Sequence, residues 1–457
     1  MSDRDVDVLV VGGFTAGLYF GGLMAKQGYK VLICDALPEK EVGARYSVIH
    51  VGQEHFSHFG LPEPKPGDPE YIRSFDQSIL RSALNKYPKN SHATILVLRR
   101  ALMTQRIAAW AKEQGAEFAY ETAFEKTVFN ARNKLAGAIL RQKDGAELRV
   151  NARLTVDASG IPAVVRTSLP AGYGVENFVT GARDQFYVVL YYVNLKHPER
   201  DMPKVNITWP YYKIWFASQP EENGALFGVG ANLSFEYADY CFQRFAARGF
   251  LPESTPDHVE KASTPYRRPP YSFVADGFAA IGDSACITNP WTGEGVPYAW
   301  RLGAIAADEY GKAMKNGAYP SREAVWNINI RYQQEQGALY AQNLAMLCGA
   351  VGCTEEENDY EFKHAIIYED ETEKGKGNLM LKLLKAFVSG GISPKSLGNL
   401  LSAAGTGGKI FKHYMAYPKT PDGLDAWIQT AEALWKKAGS MADLAEQDLA
   451  RNPPPQK

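Results

Sequence analysis

The chain has 457 residues, 45% of them hydrophobic, and a formal net charge of -1. That length supports two or three domains with a large core, and the balanced charge leaves no electrostatic footprint for a nucleic acid. Five scattered cysteines, Cys34, Cys241, Cys286, Cys348 and Cys353, form no paired framework and point to a reducing, cytoplasmic setting. No second pair or histidine near Cys348 and Cys353 completes a zinc site, so no metal is expected. The N-terminus has no basic or cleavable apolar segment, and no apolar run reaches the ~20 residues that span a bilayer.

Residues 7–11 are a short apolar run ending in glycines, the pattern of a buried parallel strand. Residues 15–27 have helical texture, closed by Gly28, and residues 30–34 predict a second buried strand ending at Asp35. This βαβ opening carries Gly12, Gly13, Thr15, Ala16 and Gly17, with Asp35 23 residues after Gly12. The order strand, glycine turn, helix, strand, acid is the dinucleotide fingerprint in its proper context. Glycines let backbone approach a pyrophosphate, a helix N-terminus offers free N–H groups, and the acid accepts ribose hydroxyls. Phe14 stands where the second fingerprint glycine belongs, so its ring is expected to turn away from the phosphates.

Arg100 precedes a predicted helix over 101–114, with Ile107, Ala108 and Ala111 on one face. From there a guanidinium reaches cofactor phosphates or stays solvated beside Arg99. Residues 117–156 predict several short strands, with a hairpin across Lys143-Asp144-Gly145. Residues 154–160 read as a strand returning beside the nucleotide loop, which brings Asp157 and Gly160 to it. From about Gly181 the chain turns aromatic and β-branched, which predicts one antiparallel sheet. Its Tyr187, Tyr191, Tyr192, Trp209, Tyr211, Tyr212 and Trp215 serve as sheet core or, in part, as the lining of an apolar pocket.

Residues 278–283 return to buried-strand texture and end in Gly282 and Asp283. A strand-end aspartate can bind a ribityl chain, and it can equally cap a helix. Thr292, Gly293, Glu294 and Gly295 then open a long helix. Their N–H groups would meet the pyrimidine edge of a flavin, where negative charge collects on reduction. From Tyr319 onward the chain reads as helical, and residues 452–457 as a disordered tail. Gly405-Thr406-Gly407-Gly408-Lys409 lacks phosphate-loop spacing and is read as a connection between helices. His50, Glu54, His55 and His58 read as a partly exposed helix with no further metal ligands in range. In residues 379–411, apolar residues at helical spacing with interspersed lysines predict packing against the body or peripheral contact with a membrane.

Together these motifs resemble the flavoproteins of p-hydroxybenzoate hydroxylase fold. More narrowly, the chain resembles the geranylgeranyl reductase family, in its archaeal digeranylgeranylglycerophospholipid reductase branch. The narrower likeness rests on Pro265-Tyr266-Arg267-Arg268-Pro269, on Asn289-Pro290, and on Trp326-Asn327-Ile328-Asn329 with Tyr332 and Gly337-Ala338. It also rests on Tyr417-Pro418-Lys419-Thr420-Pro421 and Trp427. The resemblance implies an α/β fold: a Rossmann-type FAD-binding domain (1–178 and 275–318), an antiparallel-sheet substrate domain (179–274) and a helical C-terminal region (319–457). It implies FAD as cofactor, with Arg45 among its contacts, and reduction of C=C bonds in an apolar isoprenoid substrate.

Two signatures of that activity differ. The family's Pro-Cys-Gly aligns with Tyr46-Ser47-Val48, so Ser47 replaces the cysteine. Its Y-x-W-x-F-P-x-G strand aligns with residues 212–219, keeping Tyr212 and Phe216. Ser47, His50, Tyr212 and Trp215 are therefore the candidates beside the substrate, with His50 or Tyr212 the expected proton source. A flavin monooxygenase or halogenase using O2 is the alternative reaction class. No second nucleotide fingerprint appears, so the electron donor stays open between NAD(P)H and a ferredoxin-like protein.

Overall fold

The computed structural model describes residues 2–202, 205–209, 212–349, 353–366 and 378–454. Its first sheet has a parallel centre, in the order Phe278–Ala280, Glu147–Asp157, Ser2–Val11, Val31–Cys34 and Glu117–Ala119. These strands are apolar because both faces are covered. Val8, Leu9, Val10, Leu32, Ile33, Leu154 and Val156 are almost wholly buried. Helix Thr15–Lys26 packs against helix Val296–Ala313. The expected hairpin joins Leu135–Gln142 to Glu147–Asp157. Helix Arg100–Glu113 buries Ile107, Ala108 and Ala111 as its periodicity predicts, and Met103 with them.

The second sheet runs Ser254–Pro265, Gln185–Leu195, Gly224–Ala231, Tyr212–Ser218, Val205–Trp209, Tyr71–Arg81, Lys89–Arg99 and Val48–Gly52. Three of its strands come from residues 48–99, a stretch whose strands the sequence does not announce. Val205–Trp209 pairs in parallel with Tyr71–Arg81, so the sheet is not antiparallel throughout. Its two faces differ. Tyr212, Ile214, Phe227 and Val229 pack on helix Phe235–Ala246 through Tyr237, Cys241 and Phe242. On the opposite face Val48, Leu190, Tyr192, Ala217 and Leu226 cluster with Tyr46, Phe75 and Trp215.

The C-terminal part is helical. Gly405-Thr406-Gly407-Gly408-Lys409 is no connection; it lies inside helix Pro394–Met415. A Cβ on Gly407 would press on Met346 and the Gln342 carbonyl, so the small residue lets this helix approach helix Ala338–Gly349 closely. Of the predicted tail, 455–457 lie outside the described residues, whereas the Pro453 carbonyl accepts a hydrogen bond from Tyr240.

Candidate functional site

The nucleotide loop is shaped for close approach to an anion. Gly12 has φ +113°, and any Cβ there would collide with the Ala158 carbonyl. A Cβ on Gly17 would likewise strike the Gly12 carbonyl. Helix Thr15–Lys26 begins after Phe14, whose side chain has no oxygen to cap it. The first-turn N–H groups of Thr15, Ala16 and Gly17 therefore face outward with the positive end of the helix dipole. Asp35 closes the loop: its carboxylate accepts N–H bonds from Gly13 (2.7 Å) and Leu37 (2.9 Å). These features fit a dinucleotide pyrophosphate and its ribose.

Phe14 has a definite task. Its ring packs near Gly43 and lies beneath the Arg100 guanidinium, 4.2 Å from the ring centroid. Tyr46 flanks the same guanidinium at 5.4 Å, and Arg100 Nη1 donates to the Gly43 carbonyl (3.0 Å). Burial lowers the Arg100 pKa, against the pull of Tyr46 and Asp283. Arg100 is therefore a half-buried cation held against the nucleotide loop by Phe14, Tyr46 and Gly43 rather than a solvated neighbour of Arg99. Arg45 is exposed on the adjoining loop.

The two distant motifs converge on this loop. A Cβ on Gly282 would crowd Ala16, so the 282–285 turn touches the start of the first helix. Burial pushes the Asp283 carboxyl up to about 6, with Arg100 and Thr288 pulling it back. Asp283 and Arg100 thus lie near enough to act on each other electrostatically. Thr292, Gly293, Glu294 and Gly295 form a tight turn, with Gly293 N–H donating to the Asn289 carbonyl and Asn289 N–H to the Glu294 carbonyl (2.8 Å each). Asp157 behaves differently. Its buried carboxylate accepts from Ser159 Oγ and from the N–H groups of Ser159, Val165 and Arg166. It orders the loop through Gly160 rather than offering a free carboxylate to a cofactor. Arg166 completes that staple by donating to the carbonyls of Ser284, Glu176 and Phe178.

Ser47 sits beside Arg100, its carbonyl accepting the Arg100 N–H (3.0 Å). Its hydroxyl donates to Glu260 Oε1 (2.6 Å), and its N–H donates to Oε2 (3.1 Å). Tyr192 donates to the same carboxylate (2.6 Å). Trp215 and Phe75 stand in the adjoining apolar cluster. A Cβ on Gly228, across from Trp215, would overlap its indole, so that glycine gives the ring its place on the sheet.

Two proposed proton sources do not fit. Tyr212 points to the other face of the sheet, because side chains alternate along a strand and it packs on helix Phe235–Ala246. It therefore shares no water chain with His50. His50 lies on strand Val48–Gly52 against Phe75, not on a helix, and its Nε2 is sealed from solvent without a hydrogen-bond partner among the described residues. Burial lowers its pKa to about 4, so the ring is neutral near pH 7 and is not the cation a proton donor would be. Tyr211 lies outside the described residues. Sequence reasoning missed Glu260 and Lys213. Neither belongs to a motif, and each acts only through a residue brought near by folding. Lys213 Nζ donates to the carbonyls of Pro290 (2.9 Å) and Trp291 (2.8 Å).

A family model described as an FAD binding domain matches residues 5–211, the span that holds the glycine loop, Arg100 and Asp157. The chain is an FAD-dependent oxidoreductase. This flavoenzyme is geranylgeranyl reductase-like. It is 26% identical over 449 residues to a digeranylgeranylglycerophospholipid reductase of Sulfolobus acidocaldarius, covering 93% of this chain and 96% of the relative. A protein of the same name from Methanospirillum hungatei is 25% identical, over 69% of this chain and 78% of its own. Among solved structures, a geranylgeranyl bacteriochlorophyll reductase-like protein of Thermoplasma acidophilum superposes with a TM-score of 0.73. It is 17% identical, over 88% of this chain and 100% of that one. A myxobacterial chondrochloren halogenase superposes at 0.60 with 17% identity, over 88% of this chain and 97% of its own. These structural likenesses show the shared FAD-binding fold. No described helix is long and apolar enough to cross a membrane, and no three described His, Cys, Asp or Glu side chains gather to hold a metal ion.

Proposed function

We propose that this flavoenzyme reduces C=C bonds in an apolar, isoprenoid-like substrate. The observation that carries the reading is the apolar face of Val48, Phe75, Leu190, Tyr192 and Trp215, which adjoins Ser47, whose carbonyl accepts the Arg100 N–H. The names of the curated relatives support the same substrate class. FAD, when reduced, supplies a hydride. The chain's own residues hold the cofactor: Gly12 to Gly17 and Arg100 at the pyrophosphate, Asp35 at the ribose, and Asp283 with the 292–295 turn at the ribityl chain and ring. The apolar face excludes water and aligns an alkene, and Ser47 borders it with a hydroxyl. We also infer contact with a membrane surface through helix Leu379–Val388, whose Leu381, Leu384 and Val388 are exposed.

Anaerobic single-turnover experiments test the reading. Protein carrying reduced FAD is mixed with a geranylgeranyl lipid; flavin reoxidation should accompany product that is two hydrogens heavier per bond. Reoxidation that needs O2, with a hydroxylated or halogenated product, would assign the enzyme to the monooxygenase or halogenase class instead.

A further inference from the structure

The Glu260 carboxylate is held from two sides. Ser47 and Tyr192 supply three hydrogen bonds to it. On the solvent side stands His258, two residues before it on strand Ser254–Pro265 and therefore on the same face. The His258 ring stacks on Tyr192 at 4.2 Å with an interplanar angle of 8°. Its Nε2 is 3.7 Å from Glu260 Oε1, and its Nδ1 is 2.9 Å from Asp257 Oδ2. The exposures form a gradient: the side chain of His258 is 47% exposed, that of Glu260 17%, and Tyr192 is buried. A file of titratable groups thus runs from water to the Ser47 hydroxyl. Arg100 and Tyr46 act on Glu260 electrostatically from the cofactor side.

We propose that His258 and Glu260 form a proton inlet to Ser47, with Glu260 the positioning residue that decides which way the Ser47 hydroxyl points. The proposal rests on the reductase reading. While Glu260 is ionised, the Ser47 hydroxyl must donate to it across the 2.6 Å contact. Once Glu260 is protonated, it donates to Ser47 Oγ, and the serine hydrogen turns toward the substrate. Each C=C bond that accepts a hydride at one carbon needs a proton at the other. Ser47 Oγ–H gives that proton while taking one from the Glu260 carboxyl, so no free alkoxide forms. The carboxylate left behind takes a proton from the His258 imidazolium at Nε2, and neutral His258 is recharged from solvent. One proton from water enters per bond reduced. This answers the weakness of a serine standing where a cysteine is expected: a hydroxyl is a poor acid alone and a good carrier within a hydrogen-bonded chain.

The test uses the FAD-loaded full chain and Glu260→Gln, His258→Gln and Ser47→Ala. Glutamine keeps the size and hydrogen-bonding reach of Glu260, so folding is preserved and only proton transfer is lost. In turnover, Glu260→Gln should lower kcat by about 10²-fold or more with KM within about twofold, the loss expected for proton delivery. It should also remove one limb of the pH profile. His258→Gln should show a smaller loss of kcat that added imidazole restores. The second readout needs no turnover: infrared titration of the Glu260 carboxyl, identified by its disappearance in Glu260→Gln. Its midpoint should rise in Ser47→Ala, which removes a donor to the carboxylate, and in His258→Gln, which removes a facing cation. A Glu260→Gln enzyme with unchanged kcat and pH profile overturns the inlet. So does a Glu260 midpoint indifferent to both His258 and Ser47. If the wild type reduces no isoprenoid bond, the functional reading falls, and the infrared titration still decides whether the three groups are one proton path.

Discussion

At the scale of single residues, the position that departs most from the nucleotide fingerprint is explained by its neighbour. Phe14 where a glycine belongs reads, in sequence, as an obstacle to be turned aside. In the structure its ring is the floor under Arg100, a half-buried cation that Asp283 acts on electrostatically. An aromatic face under a desolvated guanidinium contributes ~0.5–2 kcal/mol. Phe14→Leu should therefore weaken FAD binding by about 2- to 30-fold, while Phe14→Tyr should leave it unchanged. Flavin fluorescence quenching on titrating apo-protein measures both. Equal or tighter binding in Phe14→Leu would sink this role. The sequence also nominates His50 and Tyr212 as proton sources, and both fail for reasons invisible in one dimension. Tyr212 falls on the wrong parity of its strand, and His50 is buried without a charge partner.

At the scale of elements, what was legible is what is local. The βαβ opening, the hairpin at Lys143-Asp144-Gly145, the helix after Arg100 and the helix after Gly295 all follow from periodicity and turn residues within a short window. Strand Tyr71–Arg81 is hard to read because it is half-exposed and interrupted by Ser74, Asp76, Gln77 and Ser78, and strand Lys89–Arg99 because it opens on the polar Lys89-Asn90-Ser91-His92 and its apolar run, Ile95 to Leu98, is only four residues long. Gly407 reads as part of a connection because close helix packing and a tight turn ask for the same small residue. Helix Leu379–Val388 was legible in its period but not in its orientation. It buries Leu383 and Ala386 and leaves Leu381, Leu384 and Val388 more than half exposed, with the exposed Lys385 among them, while Lys382 turns to the Ala365 carbonyl. Such a face, with a lysine beside it, suits an anionic lipid surface. Co-sedimentation with vesicles containing anionic lipid should detect binding by the wild type. Leu384→Glu with Val388→Glu should abolish it without changing FAD content. A wild type that stays in the supernatant would defeat the membrane reading.

At the scale of the whole molecule, the parts are joined by polar side chains that reach carbonyls far away in sequence. Trp326 Nε1 donates to the Pro418 carbonyl, Tyr417 to the Tyr271 carbonyl, and Asn329 receives the Phe273 N–H. The motifs behind the family resemblance thus pin the C-terminal helices to the parallel sheet. Lys213 does the same between the second sheet and the turn before helix Val296–Ala313, and no local pattern could announce it, since its acceptors lie 77 and 78 residues on. Burial lowers its pKa from 10.5 to about 7, with Glu294 opposing the shift. The sign of the consequence is fixed. Between pH 7 and 10.5 the unfolded lysine binds a proton that the folded one does not, so this group's contribution to stability rises with pH across that window. Below pH 7 the folded chain must carry a buried ammonium, and the cost is full. Lys213→Met removes the titration and leaves two carbonyls without this donor, a loss independent of pH worth ~1–3 kcal/mol for each buried group. The melting temperature of the wild type relative to Lys213→Met should therefore climb steadily from pH 7 toward pH 10, the variant comparing most favourably at or below pH 7. A difference that stays constant across that range would show that Lys213 keeps its charge when folded, and the hydrogen bonds to Pro290 and Trp291 would then be those of an ordinary ammonium.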